Sequence, residues 1–421
     1  MSDASGHELS GRRVAVLSFI AFAFAYFFSA LLRAITATLA PVFSAELGLG
    51  AADLGLLAGA YFLGFAVMQL PLGRALDRYG PKRVLLVFLS IAVVACAAFA
   101  LADSFVRLLA ARALIGVGVA ACLMAPLTSF RLRYNATAQL RANSWMLMTG
   151  SLGMLASTLP VQWLLPLLGW RALFWGVALL LIVAMGVLAL AIPKDRPTPV
   201  AAQDASGGYA LIARQATFVR YAPMGFFHYG GLLAVQSLWA GPWLTEVAGW
   251  TPLASAQGLF AINLSMLCAF LSWGVVMPRL VARGVHPQQL IAWGAPVSIA
   301  ILVLAIALGS HAGAVIWALW CVSCTTVSLS QPAVGQAVAA ELAGRALSAY
   351  NLVIFAGVFC VQWGVGLAVD ALREAGWTTE NAYRGAFGLL ALCVAAAYVW
   401  FLVRREPVAD HTARTRGVDC A

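Results

Sequence analysis

Long apolar runs follow one another along the chain, separated by short polar segments, without the apolar–polar alternation that is typical of strands. A helix needs about 20 predominantly apolar residues to cross a hydrocarbon core of about 30 Å. The pattern therefore predicts membrane-spanning helices rather than an outer-membrane barrel. We predict twelve spans, at residues 14–40, 51–73, 84–102, 105–128, 143–166, 171–192, 218–244, 252–277, 288–309, 312–333, 346–369 and 383–403.

The longest polar interruption divides these spans into two sets of six. Residues 193–217 are rich in Pro, Gly, Asp and Arg, which predicts a linker. The predicted domains are an N-terminal six-helix half (1–192), a cytoplasmic central linker (193–217) and a C-terminal six-helix half with a cytoplasmic tail (218–421). Two matching stretches, RANSWMLMTGSLG from Arg141 and RALSAYNLVIFAG from Arg345, suggest that the halves are repeats. The predicted fold class is an all-α integral membrane protein with two six-helix pseudo-repeat halves.

Composition and charge agree with this prediction. The chain is 62% hydrophobic and 10% charged, which excludes an ordinary soluble domain. Of 26 basic residues, twenty fall in loops and tails on one side of the predicted membrane, four on the other side and two within spans. By the positive-inside rule, both termini of this multi-pass protein are expected in the cytoplasm, and the protein is expected in the inner (plasma) membrane. The net charge of +10 therefore calls for no nucleic-acid partner.

The cysteines and polar side chains suggest no catalytic or metal chemistry. Cys321 and Cys324 form a CxxC pair, but it lies within an apolar run with no second ligand pair nearby. The sequence shows no nucleophile–base pairing and no phosphate-binding loop. We expect neither a metal nor a cofactor, and we expect that the protein is not an enzyme.

The most specific motif is GRALDRYGPKR, between predicted spans two and three. Gly73 is expected to let a neighbouring helix approach, Gly80 and the following Pro to force a tight turn, and Arg83 to anchor the loop in the cytoplasm. This string resembles the signature loop of the major facilitator superfamily. The resemblance implies a twelve-helix transporter that works by alternating access. It also implies a conformational latch formed by Gly73, Asp77, Arg78, Gly80 and Arg83.

Spans four and five bear on the same resemblance. Arg112, Gly116 and Gly118 in span four are similar to the superfamily's fourth-helix pattern of an arginine followed by two glycines. Many drug–proton antiporters of the superfamily carry a Gly-Pro pair in span five. The corresponding stretch here, GSLGMLASTLP (150–160), has none, which disfavours an antiporter without excluding it.

Arg33 is the main candidate for a substrate contact. It shares one face of span one with Tyr26, Ser29 and Thr36, at helical spacings of three and four residues. A charge within hydrocarbon is costly, so this face is predicted to line a cavity between the halves. The alternative is an arginine that extends to the outer headgroups from the last turns of the span.

Further candidates lie in spans seven and eleven. Gln236 and Trp239 in span seven, and Asn351 and Gln362 in span eleven, are predicted to contact substrate; the alternative is that they only join packed helices. His228 is the predicted proton-coupling group, although a lone histidine on a helix more often serves as a structural hydrogen-bonding group.

The predicted function is secondary active transport by alternating access, with proton-coupled uptake of a small organic anion. Anions are favoured because the charge offered to a cavity is positive. The expected partners are this substrate, protons or another coupling ion, and membrane lipid, and the protein is expected to be a monomer. Two alternatives stay open: a drug or metabolite efflux pump of the same superfamily, and a sensor-like member that transports nothing.

Overall fold

The structure, a computed structural model, describes residues 2–192, 206–338 and 340–404, and its elements in these ranges are all helical. In the first half the helices are α1 (Ser2–Leu47), α2 (Ala51–Tyr79), α3 (Pro81–Ala100), α4 (Phe105–Val119), α5 (Ala121–Arg133), α6 (Ala136–Ala156) and α7 (Leu159–Ala191). In the second half they are α8 (Ser206–Arg214), α9 (Ala216–Pro223), α10 (Gly230–Ala234), α11 (Ala240–Pro242), α12 (Pro252–Ala282), α13 (Pro287–Leu308), α14 (Ala314–Cys324), α15 (Ser330–Gln336), α16 (Ala340–Glu374) and α17 (Thr379–Val403).

Ten helical stretches within the described ranges are long and apolar enough to cross a membrane. The other two predicted spans correspond to α6 and to the helical run 216–247. In that run, α9, α10 and α11 alternate with π-helical segments at Met224–Tyr229, Val235–Trp239 and Trp243–Val247. Wider π turns are frequent at functional sites, and they interrupt what the sequence predicts as one regular span.

Predicted span five, 143–166, is a broken helix in the structure. Helix α6 ends at Ala156, and α7 begins at Leu159, immediately before Pro160, which has no amide hydrogen to donate. The carbonyl oxygen of Ser157 at the break accepts a hydrogen bond from Thr38 Oγ1 of α1, at 2.8 Å. The chain then turns at Gly169 (φ +72°), which separates the end of span five from span six within α7.

Part of the predicted linker is also helical, since α8 lies within 193–217. Residues 193–205 lie outside the described residues, as does the predicted tail from residue 405, and the domain boundaries stay predictions.

Close helix contacts in the first half depend on glycines. A Cβ at Gly64 of α2 would lie 2.1 Å from the carbonyl oxygen of Ala113, and one at Gly116 of α4 would lie 2.0 Å from that of Tyr61. A Cβ at Gly118 would lie 2.3 Å from the amide nitrogen of Ala92 on α3. The two span-four glycines therefore allow α4 to lie directly against α2 and α3.

Candidate substrate site between the two halves

Arg33 lies near the middle of its span. The sequence predicts that span one ends at residue 40, but α1 continues through Pro41 to Leu47, and its apolar stretch runs from Val16 to Leu47. Arg33 is therefore about 26 Å along the helix from Val16 and about 21 Å from its end. This depth places the guanidinium well away from either end of the helix.

The guanidinium of Arg33 is surrounded by aromatic side chains. Its Cζ lies 5.8 Å from the centre of the Phe65 ring, and the hydroxyls of Tyr26 and Tyr61 are within hydrogen-bonding reach. Tyr61 donates its own hydrogen to the carbonyl oxygen of Ser29 at 3.2 Å, so its oxygen lone pairs are free to accept from arginine. The Nε atom of Arg33 is buried and has no partner among the described residues.

The second half also reaches this group. Tyr229, in the first π-helical segment, lies close enough to Arg33 and Tyr26 for electrostatic interaction. Arg33 and Tyr229 are both only partly buried. Arg33 is thus a partly buried residue at mid-span that is approached by both halves.

Arg112 is held differently. Its side chain is 1% exposed, its Nη2 donates to Thr36 Oγ1 at 2.6 Å, and its Cζ lies 5.1 Å from the Tyr61 ring centre. The sequence predicts that Thr36 shares a cavity face with Arg33. In the structure the hydroxyl of Thr36 instead accepts the hydrogen bond from Arg112, which belongs to the same half. Tyr61 lies between the two arginines and contacts both.

The other predicted substrate residues have polar partners of their own, and the structure links Trp239 directly to Gln362. Gln236 donates to Asn263 Oδ1 at 3.0 Å, and Asn351 Oδ1 accepts from Gln331 at 3.4 Å. Trp239 Nε1 donates to the carbonyl oxygen of Gln362 at 3.1 Å. Gln362 Nε2 in turn donates at 2.9 Å to Oγ of the serine that follows Gln236. Their contact with substrate stays a prediction.

His228 lies inside the second half. It is fully buried, with Nε2 2.7 Å from Ser298 Oγ and 3.5 Å from Cys324 Sγ. Its Nδ1 has no partner in the described part of the chain. These neighbours belong to α13 and α14 rather than to the interface between halves, and a coupling role for His228 stays a prediction.

The signature loop lies at one end of the bundle, which we call the Gly80 end. Gly80 (φ +79°) makes the turn between α2 and α3, as the sequence predicts, and donates its amide to the carbonyl oxygen of Leu76 at 3.0 Å. Asp77, Arg78 and Arg83 are exposed. The expectation for Gly73 differs from the structure, because a Cβ there would meet nothing within 4 Å.

The opposite end, which we call the Gly50 end, is closed by α2 and α16. A Cβ at Gly55 would lie 2.3 Å from the carbonyl oxygen of Gln362, and one at Gly366 would lie 2.3 Å from that of Ala51. At the other ends of the same two helices, a Cβ at Gly73 or at Gly344 meets nothing within 4 Å. The two halves therefore touch through backbone at the Gly50 end, and these helices have no such contact at the two Gly80-end glycines.

A carboxylate adds to this closure. Asp370 of α16 accepts hydrogen bonds from the amides of Ala51 (3.2 Å) and Ala52 (2.7 Å), at the N-terminus of α2. A negative charge is stabilised there by the unpaired amides and by the helix dipole. Asp370 thus joins the two halves across the closed end.

We expect Asp370→Asn to weaken closure of the Gly50 end. The amide side chain loses the charge and one acceptor, a change of about 1 kcal/mol or roughly fivefold in the ratio of closed to open molecules. The measurement is the distance distribution between spin labels on the α1–α2 and α16–α17 loops, in a cysteine-free background. Glu374→Gln, one turn away and exposed, is the matched control. Equal distributions for the two variants would show that Asp370 contributes nothing to closure.

A cleft of about 670 Å³ opens at the Gly50 end and is lined by α1, α7 and the first residue of α12. Thr38, Glu46, Gln162 and Trp170 supply its polar side chains, and Trp170 Nε1 donates to Glu46 at 2.7 Å. None of the predicted substrate residues lines this cleft.

Comparison with known proteins identifies the family. The sequence model of the Major Facilitator Superfamily matches residues 22–362, well over half of the chain. The chain belongs to the Major Facilitator Superfamily. The predicted twelve-helix class is confirmed by this match and by the fold, and the protein is a membrane transporter rather than an enzyme.

Solved transporters of this superfamily share the fold over nearly the whole chain. A bacterial homologue of the human lysosomal transporter Spinster, inward-facing and unoccupied, superposes with a TM-score of 0.74 at 17% identity, covering 94% of this chain and 99% of that one. A D-xylose–proton symporter superposes with a TM-score of 0.71 at 14% identity, covering 92% and 96%. At these identities the likeness shows the fold alone.

A curated relative matches part of the sequence. The multidrug resistance protein MdtL of Escherichia coli strain K12 is 28% identical over 172 residues, which are 39% of this chain and 42% of that protein. The match therefore spans about two fifths of this relative's length.

Proposed function

We propose that this superfamily member carries a small organic anion across the membrane, with Arg33 as the group that holds the negative charge. The observation that supports this most is the mid-span position of Arg33, a partly buried residue whose Nε is buried and has no partner among the described residues. An arginine stays protonated, and a bidentate pair with a carboxylate or sulfonate would satisfy its free donors.

The orientation follows from the placement of charge. Twenty of 26 basic residues fall on the Gly80 side in the twelve-span topology, so both termini and the signature loop are proposed to face the cytoplasm of a bacterial inner membrane. The Gly50 end then faces outward. With the Gly50 end closed by α2 and α16, the structure is proposed to represent an inward-open state, in which substrate leaves or enters from the cytoplasm.

The exposed signature loop fits this state. The Gly80 end is proposed to close at the latch residues Gly73, Asp77, Arg78, Gly80 and Arg83. These residues are separate from the contacts that close the Gly50 end. Closing one end while opening the other is the movement that alternating access requires.

We expect an imposed proton gradient to set the direction of transport. In proteoliposomes with an acidic exterior, proton-coupled uptake predicts that an organic anion accumulates inside and that an uncoupler abolishes the accumulation. The same gradient would drive extrusion by an antiporter. Transport with no response to the gradient would contradict proton coupling while leaving carriage of the anion intact.

Efflux is the second candidate function, because the partial match to MdtL, named as a multidrug resistance protein, points to it. The structure offers a positive charge in the site, whereas a pump for cationic compounds would require an acidic group there. Extrusion of a lipophilic cation from loaded proteoliposomes, unaffected by substitution of Arg33, would support efflux instead.

A further inference from the structure

Aromatic rings from both halves lie beside Arg33. The Phe65 ring, next to the guanidinium, lies 4.6 Å from the ring of Phe355 on α16, measured between centroids. Phe355 also stacks on Phe62 at 6.2 Å, and it is only partly buried. A ligand held by Arg33 would therefore meet ring surfaces from α2 and α16 at once.

The site offers one positive charge on a residue that is only partly buried. In the described spans, the other basic residue that lies far from a helix end is Arg112, which is 1% exposed and already bonded to Thr36. A second negative charge on the ligand would enter a region of low dielectric without a cation to pair with, which is costly. This favours a monoanion over a dianion.

Free hydrogen-bonding groups around Arg33 are few. The nearby polar groups are tyrosine hydroxyls and the Oγ of Ser29, which has no partner among the described residues, while the amides of Gln236 and Asn351 have side-chain partners of their own. A polyhydroxylated solute needs several such groups, because each buried hydroxyl without a partner costs free energy. The surroundings instead suit a ligand whose body is apolar.

We propose that the Arg33 site takes a monoanion with an apolar, preferentially aromatic body, with the anionic group on Arg33 and the ring against Phe65 and Phe355. This rests on the proposed function and narrows it to a substrate class. Phe65 and Phe355 belong to different halves, so such a ligand contacts both halves. It can therefore stay bound while the carrier changes between its two open states.

The test is a calorimetric titration of the full-length protein with four six-membered-ring compounds. Benzenesulfonate, cyclohexanesulfonate, benzene-1,3-disulfonate and benzenesulfonamide differ in aromaticity or charge, and the sulfonates stay ionised at all working pH values. Benzenesulfonate is expected to bind about threefold to tenfold more tightly than cyclohexanesulfonate, as aromatic contacts allow. The disulfonate and the sulfonamide are expected to bind at least about tenfold more weakly.

Two variants test which ring produces the preference for benzenesulfonate over cyclohexanesulfonate. Phe355→Leu should remove most of the difference between benzenesulfonate and cyclohexanesulfonate while leaving cyclohexanesulfonate affinity within about twofold. Phe88→Leu, at a partly buried ring on α3, should change neither.

The binding results distinguish failure of the proposed substrate class from failure of the proposed anion transport. Equal affinity for the two monosulfonates, tighter binding of the disulfonate, or no binding by any of the four would overturn the substrate class. Sulfonamide binding as tight as that of benzenesulfonate would overturn the anion function itself.

Discussion

Arg33→Gln is expected to abolish binding of organic anions at unchanged abundance in the membrane. The substitution keeps a polar, though shorter, side chain but removes the charge and the paired donors that a carboxylate or sulfonate uses. Charge-assisted hydrogen bonds contribute about 1.5–3 kcal/mol each, so losing two should weaken binding at least about 100-fold. The measurement is equilibrium titration of purified wild type and variant.

Two further variants define what Arg33 supplies. Arg33→Lys keeps the charge but loses the planar fork of donors, so it should retain partial binding with altered selectivity among anions. Arg107→Gln removes a positive charge from an exposed residue that pairs with Asp103 at 2.6 Å, and it should bind like wild type. Wild-type affinity in Arg33→Gln would mean that the arginine is structural.

Gly366→Ala is expected to open the Gly50 end and to slow transport at least about tenfold. The added Cβ would lie 2.3 Å from the carbonyl oxygen of Ala51, a separation that requires α2 and α16 to move apart. Overpacking of this kind costs about 1–3 kcal/mol, which in a two-state carrier changes the ratio of states about fivefold to 150-fold. Spin-label distances across the Gly50 end report the change directly.

Gly364→Ala is the matched control for this prediction. It lies two residues away on the same helix and gains the same helix propensity, but its Cβ would meet nothing within 4 Å. It should leave both the distance distribution and the transport rate close to wild type. Equal behaviour of the two variants would show that close approach of α2 and α16 is not required for closure.

The helical class could be predicted from the sequence because hydrophobic run length is a property of single segments. Apolar runs of about 20 residues predicted the all-helical membrane fold, and ten helical stretches of the described ranges are long and apolar enough to span a membrane. Two errors in the predicted bounds of the spans arose at prolines. Pro41 does not end α1, whereas Pro160 follows a break in span five, and tertiary contacts such as that from Thr38 to Ser157 decide between these outcomes.

The site was less predictable, because its membership depends on contacts between helices. Arg33 and Tyr26 could be selected as a charge and a polar ring on one helical face. In the sequence, nothing distinguishes Tyr61 and Phe65 from the other aromatic and apolar residues of span two. Only the structure shows that they lie beside Arg33. Asp370 was hidden in the same way, because its partners are the backbone amides of a helix more than 300 residues away.

The candidates in the second half show the converse limit. Gln236, Trp239, Gln362 and His228 are polar or amphipathic groups in apolar helices, and all four are buried in the structure. Whether such a group contacts substrate or a neighbouring helix depends on rotation of the helix about its axis. The π-helical segments of 216–247 change that rotation, and no periodicity in the sequence signals them.

The central claim is that this protein carries an organic anion through a site in which Arg33 holds the charge. Counterflow tests it most directly, because exchange through an alternating-access carrier requires neither a known coupling ion nor a known direction. Proteoliposomes are loaded with unlabelled benzenesulfonate and diluted into labelled benzenesulfonate, which does not cross lipid unaided. We expect transient accumulation of label with wild type and none with Arg33→Gln at equal reconstitution. Equal accumulation by the two proteins would contradict the central claim.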